Sequence, residues 1–155
     1  MNTTEWINNR YGTNFNEEDL ASVKDFSLLW NVFEKEICGN NFSIPTLQQD
    51  LANRNLNLDL FQEQIDYFKN RYVSNGGFTP RFGHLNFRPN DRQQLVEEVL
   101  LGVNNNPNDI ILAAAIIVYR FRNNLFHGIK NIPNIDQQRE NFETANRFLM
   151  TYIDN

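Results

Sequence analysis

Ile110-Ile111-Leu112-Ala113-Ala114-Ala115-Ile116-Ile117-Val118-Tyr119 is the stretch that decides the fold. It is apolar on every side, so as a helix it has no face to offer water and belongs at the centre of a bundle. At about ten residues it falls well short of the roughly 20 that a membrane span needs. Asn108-Asp109 opens the helix, His127-Gly128 ends it, and Pro133 forbids its continuation. A central helix of this kind needs amphipathic helices around it.

The flanking sequence supplies them. Asn16 is a good N-cap, Glu17, Glu18 and Asp19 follow where the helix dipole favours acids, and Leu20, Val23, Trp30, Phe33 and Ile37 form one stripe. The spacing predicts a helix over about residues 16 to 38, with Gly39 in the left-handed position beyond it. Leu47 and Leu51 suggest a short helical turn after Pro45. Leu58, Phe61, Ile65, Phe68 and Tyr72 then step by three and four until Ser74-Asn75-Gly76-Gly77 stops the run. Phe78 to Asn90, with two prolines and a glycine, reads as a loop. Asp91 is positioned to cap a short helix carrying Leu95, Val99 and Val103, and a last helix runs from about Ile135 to Tyr152. The sequence carries no alternating strand pattern, no repeat of 20 to 50 residues and no Gly/Ser linker. The expected fold is all-α, a bundle of about five helices, mostly antiparallel between neighbours, in a single domain over residues 1–155.

Composition narrows the function classes. With 41% hydrophobic and 13% aromatic residues the chain has ample apolar surface for one core. A net charge of −5 argues against coating nucleic acid through bulk charge, so any nucleic-acid chemistry must rest on a local basic patch. Cys38 is the single cysteine and cannot form an internal disulfide, and no Cys/His cluster has zinc-ligand spacing. No basic, apolar leader opens the sequence. The expectation is a soluble, cytoplasmic protein with no metal, no cofactor and no membrane partner.

Polar residues crowd the end of the central helix, where Tyr119-Arg120-Phe121-Arg122-Asn123-Asn124-Leu125-Phe126-His127-Gly128-Ile129-Lys130 follows the apolar run. Asn123 and His127 are one turn apart on the same face, and the arm of Arg122 is long enough to converge on His127. One reading is structural, with cations near a helix C-terminus complementing the dipole and Gly128 capping it. The other follows from the density of polar groups, which cost about 1–3 kcal/mol each if buried unpaired and so are expected to face a cleft or a partner subunit.

At these residues the sequence resembles the HEPN superfamily, whose ribonuclease members carry an arginine, commonly a polar residue next, and a histidine after a gap of four to six. Arg122-Asn123, three further residues and His127 reproduce that order at the end of the penultimate helix. The resemblance covers about residues 26–36 and 109–150 and implies metal-independent RNA cleavage at the interface of two HEPN domains. It implies a homodimer, an RNA substrate, and an antitoxin or defence-system partner protein. Histidine moves protons near neutral pH, and arginine stabilises charge on a pentacoordinate phosphorus. His127 is accordingly expected as general acid or base, Arg122 as phosphate and transition-state binder, and Asn123 as the residue orienting His127 or the scissile phosphate. Arg120, Lys130 and Asn124 are candidate substrate contacts.

On the first long helix Asn31 and Glu34 interrupt the apolar stripe. They either line the site, with Glu34 holding Arg122, or lie on a solvated flank. His84, with Arg81 and Arg88 nearby, is a further substrate-contact candidate or an exposed loop residue. Phe121 and Phe126 either belong to the core or cover a dimer seam or stack a base, and Cys38 reads as a small buried residue at a helix end. The alternatives to a nuclease are a non-catalytic HEPN module that binds nucleotide, RNA or protein, and a purely structural helical dimer.

Overall fold

Asn2 and Glu5 exchange side-chain and backbone hydrogen bonds at 2.8 Å and start helix α1 (Thr3–Tyr11), which the apolar periodicity did not signal. The computed structural model describes residues 1–127 and 131–155. Asn16 and Asp19 make the same reciprocal cap for α2 (Glu17–Glu36), which ends one turn before Gly39 at its positive φ of 62°. The turn expected after Pro45 is a full helix, α3 (Ile44–Arg54), capped by Ser43 with the proline in its first turn. A 3₁₀ turn over Leu58–Phe61 leads into α4 (Gln62–Tyr72).

The segment from Phe78 to Asn90 is more ordered than a loop. Val73–Ser74 (β1) and Gly77–Phe78 (β2) pair antiparallel around Asn75-Gly76, both at positive φ, which is the turn an Asn-Gly pair favours. Pro80–Gly83 then forms the single turn α5. Helix α6 (Gln93–Leu100) begins after Arg92, held at φ 55°, and Asp91 does not cap it. Asp91 is committed elsewhere, as described below. The central helix α7 (Pro107–Phe126) is capped by Asn106 with Pro107 at its first position, two residues before the expected start. A 3₁₀ stretch, Ile132–Gln138, precedes the last helix α8 (Arg139–Asp154).

Among the described residues the fold is thus eight α-helices and a two-strand hairpin rather than five helices. The excess comes from the N-terminal α1 and from segments too short or too polar to carry a stripe. Residues 110–118 of α7 are buried without exception, as the apolar run requires, and α7 touches α3, α4, α6 and α8. Helix α2 packs along α8, joined by the Asn146 amide donating to the Ser22 carbonyl at 3.0 Å. The Tyr152 hydroxyl donates to Asp50 at 2.7 Å, and Tyr67 donates to Asn141 at the same distance, tying α8 to α3 and α4. Rings fill the layer between, with Phe142 5.1 Å from Phe26 and 6.1 Å from Phe121. No helix among the described residues is long and apolar enough to cross a membrane.

Candidate functional site at the end of the central helix

Two arginines two positions apart on α7 have opposite environments. Arg120 is 1% exposed, its Nε donates to the Leu85 carbonyl at 3.0 Å, and its Nη1 pairs with Asp91 at 3.0 Å. The third arm points at Asn124 Oδ1, 3.4 Å away. Burial pulls this guanidinium below its ordinary pKa and the Asp91 carboxylate opposes that shift. Asn124 is fully buried and its amide donates to the carbonyls of His84 and Leu85, both at 3.1 Å. Asp91 also accepts the Arg88 backbone N–H at 2.7 Å.

The expectation that Arg120 and Asn124 contact substrate is therefore corrected. Their polar atoms are spent on the chain between His84 and Asp91, which would otherwise lie over α7 with buried carbonyls unpaired. The same partnership explains why Asp91 is not a helix cap. Lys130, and Gly128 as helix cap, lie outside the described residues.

Arg122, about 200° around the helix from Arg120, is half-buried. Its Nη1 donates to Asn123 Oδ1 at 2.9 Å and its guanidinium lies over the Phe126 ring, 5.3 Å from the centroid. Among the described residues its Nε is buried with no hydrogen-bond partner, and so is the Nδ2 of Asn123, a residue 1% exposed. His127 terminates the helix, its backbone N–H donating to the Asn123 carbonyl at 2.9 Å. The imidazole is exposed and makes no side-chain hydrogen bond among the described residues. Arg122, Asn123 and His127 thus share the last turn of α7, with Phe126 exposed between them.

The other candidates fall apart from this cluster. Glu34 makes no ion pair with Arg122; its carboxylate accepts the Phe42 N–H at 3.2 Å and its carbonyl accepts the Asn40 N–H at 3.0 Å, closing the turn after α2. The expectation that Glu34 positions Arg122 is corrected accordingly. Asn31 is exposed on α2. Trp30 stacks on Tyr119 with centroids 6.0 Å apart and leaves its Nε1 buried and unpaired. Cys38 is buried, and burial beside Glu34 and Asp50 pushes its thiol up to about 12, so it is no nucleophile. Among the described residues no three His, Cys, Asp or Glu side chains gather as a metal site.

His84 is exposed at the end of α5 and lines a small cavity with Arg71, Arg81, Tyr72, Gln138 and Asn141. Sequence reading placed Arg81 near His84 but missed Arg71, because nothing local says which side of α4 meets the α5 segment. Neither Arg122 nor His127 lines that cavity. Comparison with protein-family models, with curated proteins and with solved structures finds no match for the chain.

Proposed function

We propose that the chain is a metal-independent endoribonuclease of HEPN type, acting as a homodimer on RNA within a toxin–antitoxin or anti-phage system. The observation that carries this reading is the set of unspent donors on the last turn of α7. Among the described residues Arg122 Nε and Asn123 Nδ2 are buried without acceptors, next to an imidazole open to solvent. A buried donor left unmade costs about 1–3 kcal/mol, and a phosphate oxygen or a partner-subunit carbonyl would recover it.

In the proposed reaction one imidazole takes the proton of the ribose 2′-OH while the 2′-oxygen bonds to phosphorus. The bond from phosphorus to the 5′-oxygen breaks, and a second imidazole donates a proton to that leaving oxygen. The products are a 2′,3′-cyclic phosphate and a 5′-hydroxyl. Arg122 neutralises the added charge on the pentacoordinate phosphorus and Asn123, already bonded to its Nη1, fixes its orientation. One His127 per chain makes the two-imidazole arrangement a property of two copies facing each other.

A second reading, a non-catalytic module, is favoured by one feature: among the described residues nothing orients the His127 imidazole, whereas a general base is ordinarily held by a neighbour. Incubating the purified chain with RNA in excess EDTA separates the two. Cleavage to cyclic-phosphate ends that disappears in both Arg122→Ala and His127→Ala, with unfolding temperatures close to wild type, is the expected result. Binding without cleavage would establish the module, and full activity in both variants would remove the catalytic assignment.

A further inference from the structure

The cavity between α4, α5, α7 and the start of α8 has a chemistry of its own. It measures about 40 Å³, enough for about three waters or one small tetrahedral anion. Arg71 and Arg81 line it together with His84, and no aspartate or glutamate does. In a chain with 19 acidic residues against 14 lysines and arginines, a cavity walled by two arginines without a carboxylate is a departure from the surrounding surface. Among the described residues neither arginine makes an ion pair. The Nε of Arg71 is buried with no hydrogen-bond acceptor among the described residues, while the rest of its guanidinium lies over the Tyr72 ring, 5.9 Å from the centroid, and acts on the Tyr67 and Tyr72 hydroxyls. Glu140, which acts on the nearby Tyr67 hydroxyl through space, does not line the cavity.

The walls are fixed before any ligand arrives. Thr79 donates to the Arg71 carbonyl at 2.8 Å and pins the end of α4 to the hairpin. Arg120 and Asn124 hold the His84–Leu85 corner from the opposite side. Tyr67 donates to Asn141, whose amide donates in turn to Gln138 at 2.8 Å, ordering the third wall. Gln138 and Asn141 belong to the start and first turn of α8, so the positive end of a 16-residue helix borders the cavity as well.

We propose that this cavity binds the phosphoryl group of a phosphate or phosphomonoester, Arg71 and Arg81 supplying the charge and the α8 N-terminus and Asn141 the orientation. This site is separate from the Arg122–His127 turn and does not rest on the nuclease reading. The test is calorimetric titration of the full chain with inorganic phosphate and with adenosine 5′-monophosphate, against chloride at matched ionic strength. Saturable binding of at least one is expected, weakened at least about tenfold in Arg81→Gln, lost in Arg71→Gln/Arg81→Gln, and unchanged in Lys24→Gln, which removes an exposed cation on α2. Equal affinity for the two probes identifies free phosphate as sufficient; tighter binding of the nucleotide identifies a phosphomonoester. Because the Arg81 side chain is exposed, Arg81→Gln is expected to fold even where the double variant does not. Absence of saturable binding, or wild-type affinity in Arg81→Gln, overturns the proposal.

Discussion

Replacing Asp91 by alanine isolates the contact on which the end of the central helix depends. The Arg120 and Asp91 side chains are 1% and 8% exposed and 3.0 Å apart, so Asp91→Ala leaves a guanidinium buried without its counter-ion. Removing one partner of such a pair costs about 3–5 kcal/mol, most of it the desolvation of the survivor. The Arg88 N–H also loses its acceptor, which places the expected loss toward the upper part of that range. For 155 residues the unfolding entropy is about 0.3 kcal/mol/K, so the midpoint of thermal unfolding should fall by roughly 9–15 °C. Adding Arg120→Met removes the orphaned charge, and the Leu85 carbonyl keeps the Asn124 amide as donor. The double variant is therefore expected to recover at least about 2 kcal/mol of the loss, a coupling that urea denaturation of the four proteins in the cycle would measure. Under the nuclease reading its folded molecules should retain whatever RNA cleavage the wild type has, since the Arg120 guanidinium is bonded to Leu85 and Asp91. A loss below about 1 kcal/mol in Asp91→Ala, or a double variant as unstable as the sum of the singles, would refute the reasoning.

The core and the buried ionisable groups give further expectations. Phe142→Ala opens a hole between Phe26 and Phe121 and should cost about 3–5 kcal/mol by urea denaturation. Cys38 should resist alkylation at pH 8 in the folded chain and react at the normal rate in denaturant, because its thiol is held up to about 12. Burial also raises Tyr72 and Tyr152, so these three groups stay neutral in the folded chain at pH values where the unfolded chain ionises them. Their contribution is complete below the unfolded values of about 8.5 for thiol and 10 for phenol and is lost as pH rises above them. Denaturation midpoints should accordingly fall between pH 8 and 11, and Cys38→Ala should flatten the lower part of that decline.

How much the sequence revealed depends on whether the cause was local. The central helix was legible because nine successive residues, 110–118, have only buried positions available to them, and α2 because cap, acidic first turn and stripe agree. Helix α1 was missed because Trp6 and Tyr11 are exposed and leave it without a stripe, although Asn2 and Glu5 already spelled its capping box. The hairpin was present as Asn75-Gly76 but carries strands of two residues, too short for alternation to register. Asp91 has the local chemistry of a helix cap, yet a guanidinium 29 positions away claims it. A window of neighbouring residues cannot contain that competition.

The two arginines of α7 make the same point about function. Arg120 and Arg122 are identical in type, two positions apart, and equally plausible as phosphate contacts when read in one dimension. Their offset of about 200° sends one into the α5–α6 segment and leaves the other beside Phe126. The buried one has a consequence for the exposed ones, because by holding Leu85 and Asp91 it lays the stretch carrying Arg81, His84 and Arg88 against the helix that bears Arg122 and His127. Arg71, Arg81, Arg88 and Arg122 make no ion pair among the described residues, and neither do Arg10, Lys35, Lys69 and Arg92, while Lys24, Arg54, Arg139 and Arg147 are matched to acids. In a chain of net charge −5, cations left without counter-ions on a preassembled support are what binding an anion requires, since the charge is free and the geometry costs nothing at the moment of binding.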